Sequence, residues 1–231
     1  MARRLADGLW LLNSGLVKPL STNVYLVDGT ERGGSEVTLV DTGLPVNYPS
    51  LCGELAAAGY APTDIDRVLL THYDLDHVGG LRALDGFDGP VYIGARDAAL
   101  ARGEWDPALL HHKGLFHRVV RPLFDLSAVD LRPVADGDEV GGFRAHHTPG
   151  HNPGHIVYIH AGLDAAFLGD LVWAEGGGFT TPFRLDSYDM RELRESVRRM
   201  AEIPFERGLA AHGEPVMADA GTRLRELPDR F

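Results

Sequence analysis

Short apolar runs bounded by turn residues recur through much of this chain, and runs of that length predict strands first. Leu9-Trp10-Leu11-Leu12, Thr22-Asn23-Val24-Tyr25-Leu26-Val27 and Glu36-Val37-Thr38-Leu39-Val40 open the series. The segment 29–34 between the last two holds turn residues with adjacent glycines, so a hairpin is expected there. Residues 66–70, 91–93, 142–147, 156–159, 165–168 and 208–211 read as further strands. Helical spacing predicts helices at 47–59, 78–84, 97–102, 187–202 and 216–227; in 187–202, Leu193, Val197 and Met200 fall on one face.

The polar residues that follow these strands carry the chemistry. Thr71-His72-Tyr73-Asp74-Leu75-Asp76-His77-Val78-Gly79-Gly80 comes directly after Val68-Leu69-Leu70 and sets four imidazole or carboxylate groups within six residues. Ordinary turns favour Gly, Pro, Asn, Asp and Ser and rarely collect paired His and Asp. A strand that stops, a loop crowded with these donors and a helix that starts is the layout of a metal site. Asp41 sits at another strand end, in Asp41-Thr42-Gly43. His151, Asp170 and His212 follow later strands in Thr148-Pro149-Gly150-His151, Leu168-Gly169-Asp170 and Ala211-His212-Gly213. Side chains displayed from strand ends along one sheet edge can converge on a point, and the neighbouring glycines let the backbone turn there.

Composition narrows the classes. At 231 residues, 44% hydrophobic and 24% charged, the chain can bury a sizeable core. A formal charge of −11 argues against a nucleic-acid surface and gives no reason to expect anionic membranes as a partner. No stretch approaches the roughly 18 to 20 apolar residues of a membrane span. The N-terminus begins Met1-Ala2-Arg3-Arg4 but meets Asp7 before any long apolar run, so no signal peptide is expected and the cytoplasm is the default location. With Cys52 as the one cysteine, a cysteine-based zinc site is excluded, and a metal must be held by imidazole and carboxylate.

Taken in order, Asp-Thr-Gly, Thr-His-x-Asp-x-Asp-His-x-Gly-Gly, Thr-Pro-Gly-His, Leu-Gly-Asp and Ala-His-Gly resemble the metallo-β-lactamase superfamily, in its glyoxalase II and lactonase-like branch. The resemblance spans Asn23 to His212. It implies an α/β fold, a four-layer αββα sandwich of two mixed sheets flanked by helices. It further implies one domain over residues 1–231, with pseudo-symmetric halves at about 1–125 and 130–231. Two divalent ions are implied, zinc foremost, with iron or manganese as alternatives. His72, Asp74 and His151 would hold the first and Asp76, His77 and His212 the second, with Asp170 bridging. Asp41 would order the ligand loop. By its place at a strand end four residues before His151, His147 reads as a satisfied strand histidine or as support for a ligating ring, and His155, after Pro153-Gly154, as support too. Asp76 and Asp170 are the expected catalytic carboxylates.

One residue departs from the family's commoner His-x-His-x-Asp-His, because Asp74 stands where a second histidine is usual. A carboxylate there adds a negative charge and a harder donor, which suits iron or manganese better than an all-imidazole site would. Alternatively Asp74 does not ligate, leaving a weak first site and a mononuclear second one. The resemblance implies a hydrolase in which a hydroxide shared by two ions cleaves a small ester, lactone or thioester, since each ion lowers the pKa of bound water. Rival expectations are a mononuclear iron oxygenase of the persulfide dioxygenase type and a non-catalytic metal-binding protein. The partners expected are a small-molecule substrate and a second copy of the chain in a homodimer. Residues 95–127 read as an inserted helical cap that, with a loop at 176–187, would shape the pocket.

Overall fold

A computed structural model describes residues 2–14, 21–32, 34–45, 51–123 and 125–228. Period-2 alternation sorts the side chains of each strand between separate cores. In β3 (Thr22–Asp28), Val24 and Leu26 point to one core while Tyr25 and Val27 point to another. The same division separates Val157 from Ile156 and Tyr158 in β10 (Ile156–His160), and Ala166 and Leu168 from Ala165 and Phe167 in β11 (Ala165–Gly169). A strand apolar on both faces must be covered on both, so these sheets are interior layers.

The first sheet has seven strands in sequence order: β1 (Arg3–Ala6), β2 (Leu9–Ser14), β3, β4 (Val37–Val40), β5 (Arg67–Leu69), β6 (Val91–Gly94) and β7 (Leu131–Val134). Neighbours run antiparallel from β1 to β4 and parallel from β4 to β7. The second has the order β14 (Arg207–Ala210), β11, β10, β9 (Phe143–His147), β8 (Glu139–Val140), with only the β11–β14 pair parallel. The two sheets meet through Leu9, Leu11, Tyr25, Val40, Leu69, Phe143, Tyr158 and Phe167. Outside the first sheet lie α1 (Leu51–Ala58) and α3 (Ala95–Ala101), and outside the second α5 (Met190–Ala201) and α6 (Ala220–Arg225). This is the expected αββα sandwich. Among the described residues, no helix is long and apolar enough to cross a membrane.

Several expectations are revised. The helix expected at 78–84 is a single turn, α2 (Leu75–Val78), followed by 3-10 residues Gly79–Ala83. Gly79 and Gly80 press against Pro45 and the Thr42 carbonyl, where a β-carbon would overlap. That close approach brings the ligand loop against the Asp41–Gly43 turn. The first part of the helix expected at 47–59 lies outside the described residues. α3, expected within an inserted cap, instead buries Ala98 and Leu100 in the core beneath β6 and β7. The part standing over the sandwich edge is α4 (His112–Val120). Within the loop expected at 176–187, Gly176 and Gly177 form the turn of a hairpin, β12 (Trp173–Glu175) and β13 (Gly178–Thr180).

Candidate metal centre

Every candidate ligand leaves the same end of the sandwich. β4 ends at Val40 before Asp41, β5 at Leu69 before His72, β11 at Gly169 before Asp170, and β14 at Ala210 before His212. His151 rides the connection between β9 and β10. Gly150 precedes it with φ +132 and lies against the backbone of Leu193, so a side chain there would overlap α5. The structure brings all seven candidates together in overlapping groups. Ligand atoms of His72, Asp74 and His151, of Asp76, His77 and His212, and of His72, His77 and Asp170 each lie within 4.8 Å of one another.

Asp170 is the hub. Its Oδ2 stands 3.3 Å from His212 Nε2, 3.5 Å from His151 Nε2 and 3.8 Å from His77 Nε2. Asp76 Oδ2 lies 3.4 Å from His212 Nε2 and accepts a hydrogen bond from Thr22 Oγ1 at 2.9 Å. The other nitrogens of three rings are anchored behind them, while His151 Nδ1 is buried without a partner. His77 Nδ1 is 2.9 Å from Asp41 Oδ2, His72 Nδ1 3.0 Å from Thr71 Oγ1, and His212 Nδ1 3.1 Å from the Ser21 carbonyl. Anchors of this kind fix the tautomer and the aim of a ligating ring. Asp41 also accepts from the Thr71 backbone N–H at 2.8 Å and has φ 59, a left-handed conformation that Asp tolerates better than most residues.

His147 corrects an expectation. Its Nε2 lies 2.9 Å from the Pro153 carbonyl and bonds no ligand ring. His155 does act behind the site: its Nδ1 meets Thr148 Oγ1 at 2.8 Å and its Nε2 accepts from the Asp170 backbone N–H at 3.0 Å.

Charge at the site follows from burial set against neighbours. Burial lowers His72 to about 4, with His77 adding to the effect. Burial opposes charge on His77 too, but Asp41, Asp76 and Asp170 outweigh it and raise that ring to about 9. His212 is raised to about 11 against its burial, chiefly by Asp170. Burial pushes the Asp170 carboxyl up, yet His212, His151 and His77 hold it well below its ordinary range.

Sequence reasoning missed the groups around Asp74. Lys113, on α4, sends Nζ to 2.7 Å from Asp74 Oδ2 and 2.8 Å from His151 Nε2. One helical turn further, His117 Nε2 lies 2.7 Å from Asp74 Oδ1, and Asn152 Nδ2 donates to the same oxygen at 2.8 Å. Burial opposes ionisation of Asp74, but Lys113, His72 and His117 hold it well below the ordinary carboxylate value. The signal was present: a Lys-x-x-x-His pair at i, i+4 in the same chain that carries a carboxylate at an imidazole position. Asp97 was also missed. It is fully buried and accepts from Tyr73 N–H at 2.8 Å and Gly154 N–H at 2.7 Å, joining the two ligand loops.

A cavity of about 860 Å³ opens beside His212, lined by Trp173, Phe183, Leu11, Asn23, Arg3 and Glu214 among others. That is the size of a small-molecule site. The β12–β13 hairpin contributes to its wall as expected of this region, but none of the described residues of 95–127 does. The insert instead reaches the donors around Asp74.

The metallo-beta-lactamase superfamily profile matches residues 17–212. A probable metallo-hydrolase of Bacillus subtilis, YybB, is 28% identical over 191 residues, covering 80% of each chain. Fungal lactamase-like proteins are matched over only 54% or 58% of their own length. The crystal structure of a metallo-beta-lactamase family protein of Thermus thermophilus, TTHA1429, superposes with TM-score 0.76 at 27% identity, covering 98% of this chain and 80% of that one. TTHA1623, solved in a di-iron-bound form, superposes with TM-score 0.66 at 26% identity, covering 91% and 97%.

Proposed function

The chain belongs to the metallo-β-lactamase superfamily of metallo-hydrolases, and on that premise we propose that it is a metal-dependent hydrolase of a small ester, lactone or thioester. One observation carries the reading. His72 Nε2, His77 Nε2 and Asp170 Oδ1 are buried without a hydrogen-bond partner, and their three residues form one group of converging donors. Leaving such atoms unpaired costs roughly 1–3 kcal/mol each, and a divalent cation bound among them offsets that cost. The donor set of imidazole and carboxylate suits zinc, and equally iron or manganese; the di-iron form of TTHA1623 keeps iron in view.

When bound, such an ion lowers the pKa of water towards neutrality and polarises a carbonyl oxygen. The chain's own residues do the rest. Asp170 and Asp76, ionised beside His212, are placed to accept hydrogen bonds from an attacking water and to orient it. Trp173 and Phe183, in edge-to-face contact at 5.0 Å, offer an apolar wall for the acyl part of a substrate, and His212 joins that wall to the donors. Asn23, Arg3 and Glu214 supply polar groups at the same cavity.

The reading is tested with metal-reconstituted protein against ester, lactone and thioester substrates. Turnover is expected in wild type and loss of at least about 100-fold in His212→Ala and Asp170→Ala proteins with unchanged circular dichroism. A folded, metal-loaded wild type inert to all three classes overturns it. A second reading, a mononuclear iron oxygenase, is favoured by Lys113 engaging the first donor group; oxygen uptake on an electrode separates the two.

A further inference from the structure

We propose that the Lys113 ammonium is a built-in cation that takes the place of the first metal, so that the chain binds one ion tightly, among His72, Asp76, His77, Asp170 and His212, rather than two. This rests on the reading of these residues as a metal centre. Lys113 is 5% exposed, and its three N–H donors have three acceptors: Asp74 Oδ2 at 2.7 Å, His151 Nε2 at 2.8 Å and the Asp186 carbonyl at 2.8 Å. His151 Nε2 also lies 3.2 Å from Asp74 Oδ2, but the ammonium is nearer, at 2.8 Å, and can only donate, so the single lone pair of Nε2 faces Lys113, and that lone pair is the one a metal would need. Asp74 is equally engaged. Its Oδ1 accepts from Asn152 and faces His117 Nε2, and its Oδ2 faces Lys113.

A divalent ion shared by Asp74 and His151 would therefore sit within a few ångströms of a fixed positive charge and would have to break two of its hydrogen bonds. Like charges at that separation in a buried site repel strongly. The other donors are unobstructed. No lysine or arginine among the described residues bonds Asp76, His77, Asp170 or His212, and the inward nitrogens of His72 and His77 have no partner. The carboxylate at position 74 matches the cation brought by α4, where an imidazole would leave the ammonium without a counter-charge.

The experiment is a titration of chelator-stripped full-length protein with Mn(II) and with Co(II), read by calorimetry and by electron paramagnetic resonance. Wild type is expected to take up one tight ion with the spectrum of an isolated spin. Lys113→Met is expected to take up a second ion at least about 10-fold more tightly than wild type and to show a spin-coupled pair, as in two-metal sites. Lys113→Gln, closer in shape and still able to bond Asp74, serves if the Met variant does not fold. Two tight, coupled ions in wild type overturn the proposal whatever the variants do, and so does one isolated ion in both wild type and a folded variant. A wild type that binds one ion yet hydrolyses no ester, lactone or thioester contradicts the hydrolase reading alone. A wild type active with two ions contradicts this proposal alone.

Discussion

Asp41 Oδ2 lies 2.9 Å from His77 Nδ1, and the opposite nitrogen of that ring, Nε2, is buried without a hydrogen-bond partner. The carboxylate thus aims the ring so that Nε2 faces the other donors. The same carboxylate receives the Thr71 backbone N–H and hydroxyl, so one residue orders both ends of the ligand loop.

Asp41→Asn keeps a residue that tolerates φ 59 and removes the charge. Metal affinity is expected to fall about 10- to 100-fold, the usual effect of losing such a partner. A competitive chelator titration measures it; an unchanged affinity would show that His77 does not need Asp41.

Metal binding is expected to expel protons. In the metal-free chain His77, at about 9, and His212, at about 11, are protonated at neutral pH. A ligating imidazole must give up that proton. Calorimetry at pH 7 in buffers of different ionisation enthalpy is expected to show net proton release, and affinity to rise with pH. Affinity independent of pH between 6 and 8 would contradict these charge states.

Those shifts also set how the metal-free protein responds to pH. The raised His77 and His212 contribute stability that is fully present below the ordinary value of 6.5 and is lost as pH rises through about 9 and then about 11. His72 works in the other direction. Held at about 4, it favours the folded state above 6.5 and loses that contribution as pH falls towards 4. Melting temperature of the metal-free chain is therefore expected to decline on the alkaline side, a decline that bound metal removes. A flat alkaline limb without metal would refute the assignment.

Asp97→Asn places amide hydrogens where a buried carboxylate accepts from Tyr73 and Gly154. A cost of about 2–3 kcal/mol in unfolding free energy is expected, because one buried N–H loses its acceptor. Urea unfolding with unchanged m-value checks it.

Phe183→Ala tests the cavity. Phe183 is 70% exposed and packs on Trp173, so little stability is at stake. KM is expected to rise about 3- to 10-fold with kcat nearly unchanged, the pattern of lost uniform binding. A fall in kcat alone would place the substrate elsewhere.

How much of this was legible in the chain depends on the range of the interaction. The strands of both sheets that bury Val24, Leu26, Ile156 and Phe167 follow from short continuous apolar runs, a local property. Strands such as β8, with two residues, and β1, with Arg3 and Arg4 exposed, carry too little apolar surface to announce themselves. The ligand loop was visible because four donors crowd into one segment. Lys113 and His117 were not, since their contacts with Asp74 span 39 and 43 residues and depend on where α4 settles over the sheet edge. His147 shows the reverse case. Proximity in sequence to His151 suggested support of a ligand, but β9 directs its ring to Pro153.

The most direct test of the account is turnover of a responsive ester, lactone or thioester as metal is returned to chelator-stripped protein. Activity is predicted to be absent at the start, to rise with added zinc, iron or manganese, and to stay absent in His212→Ala under the same loading. Full activity in the stripped chain, or none at saturating metal across all three substrate classes, would contradict it.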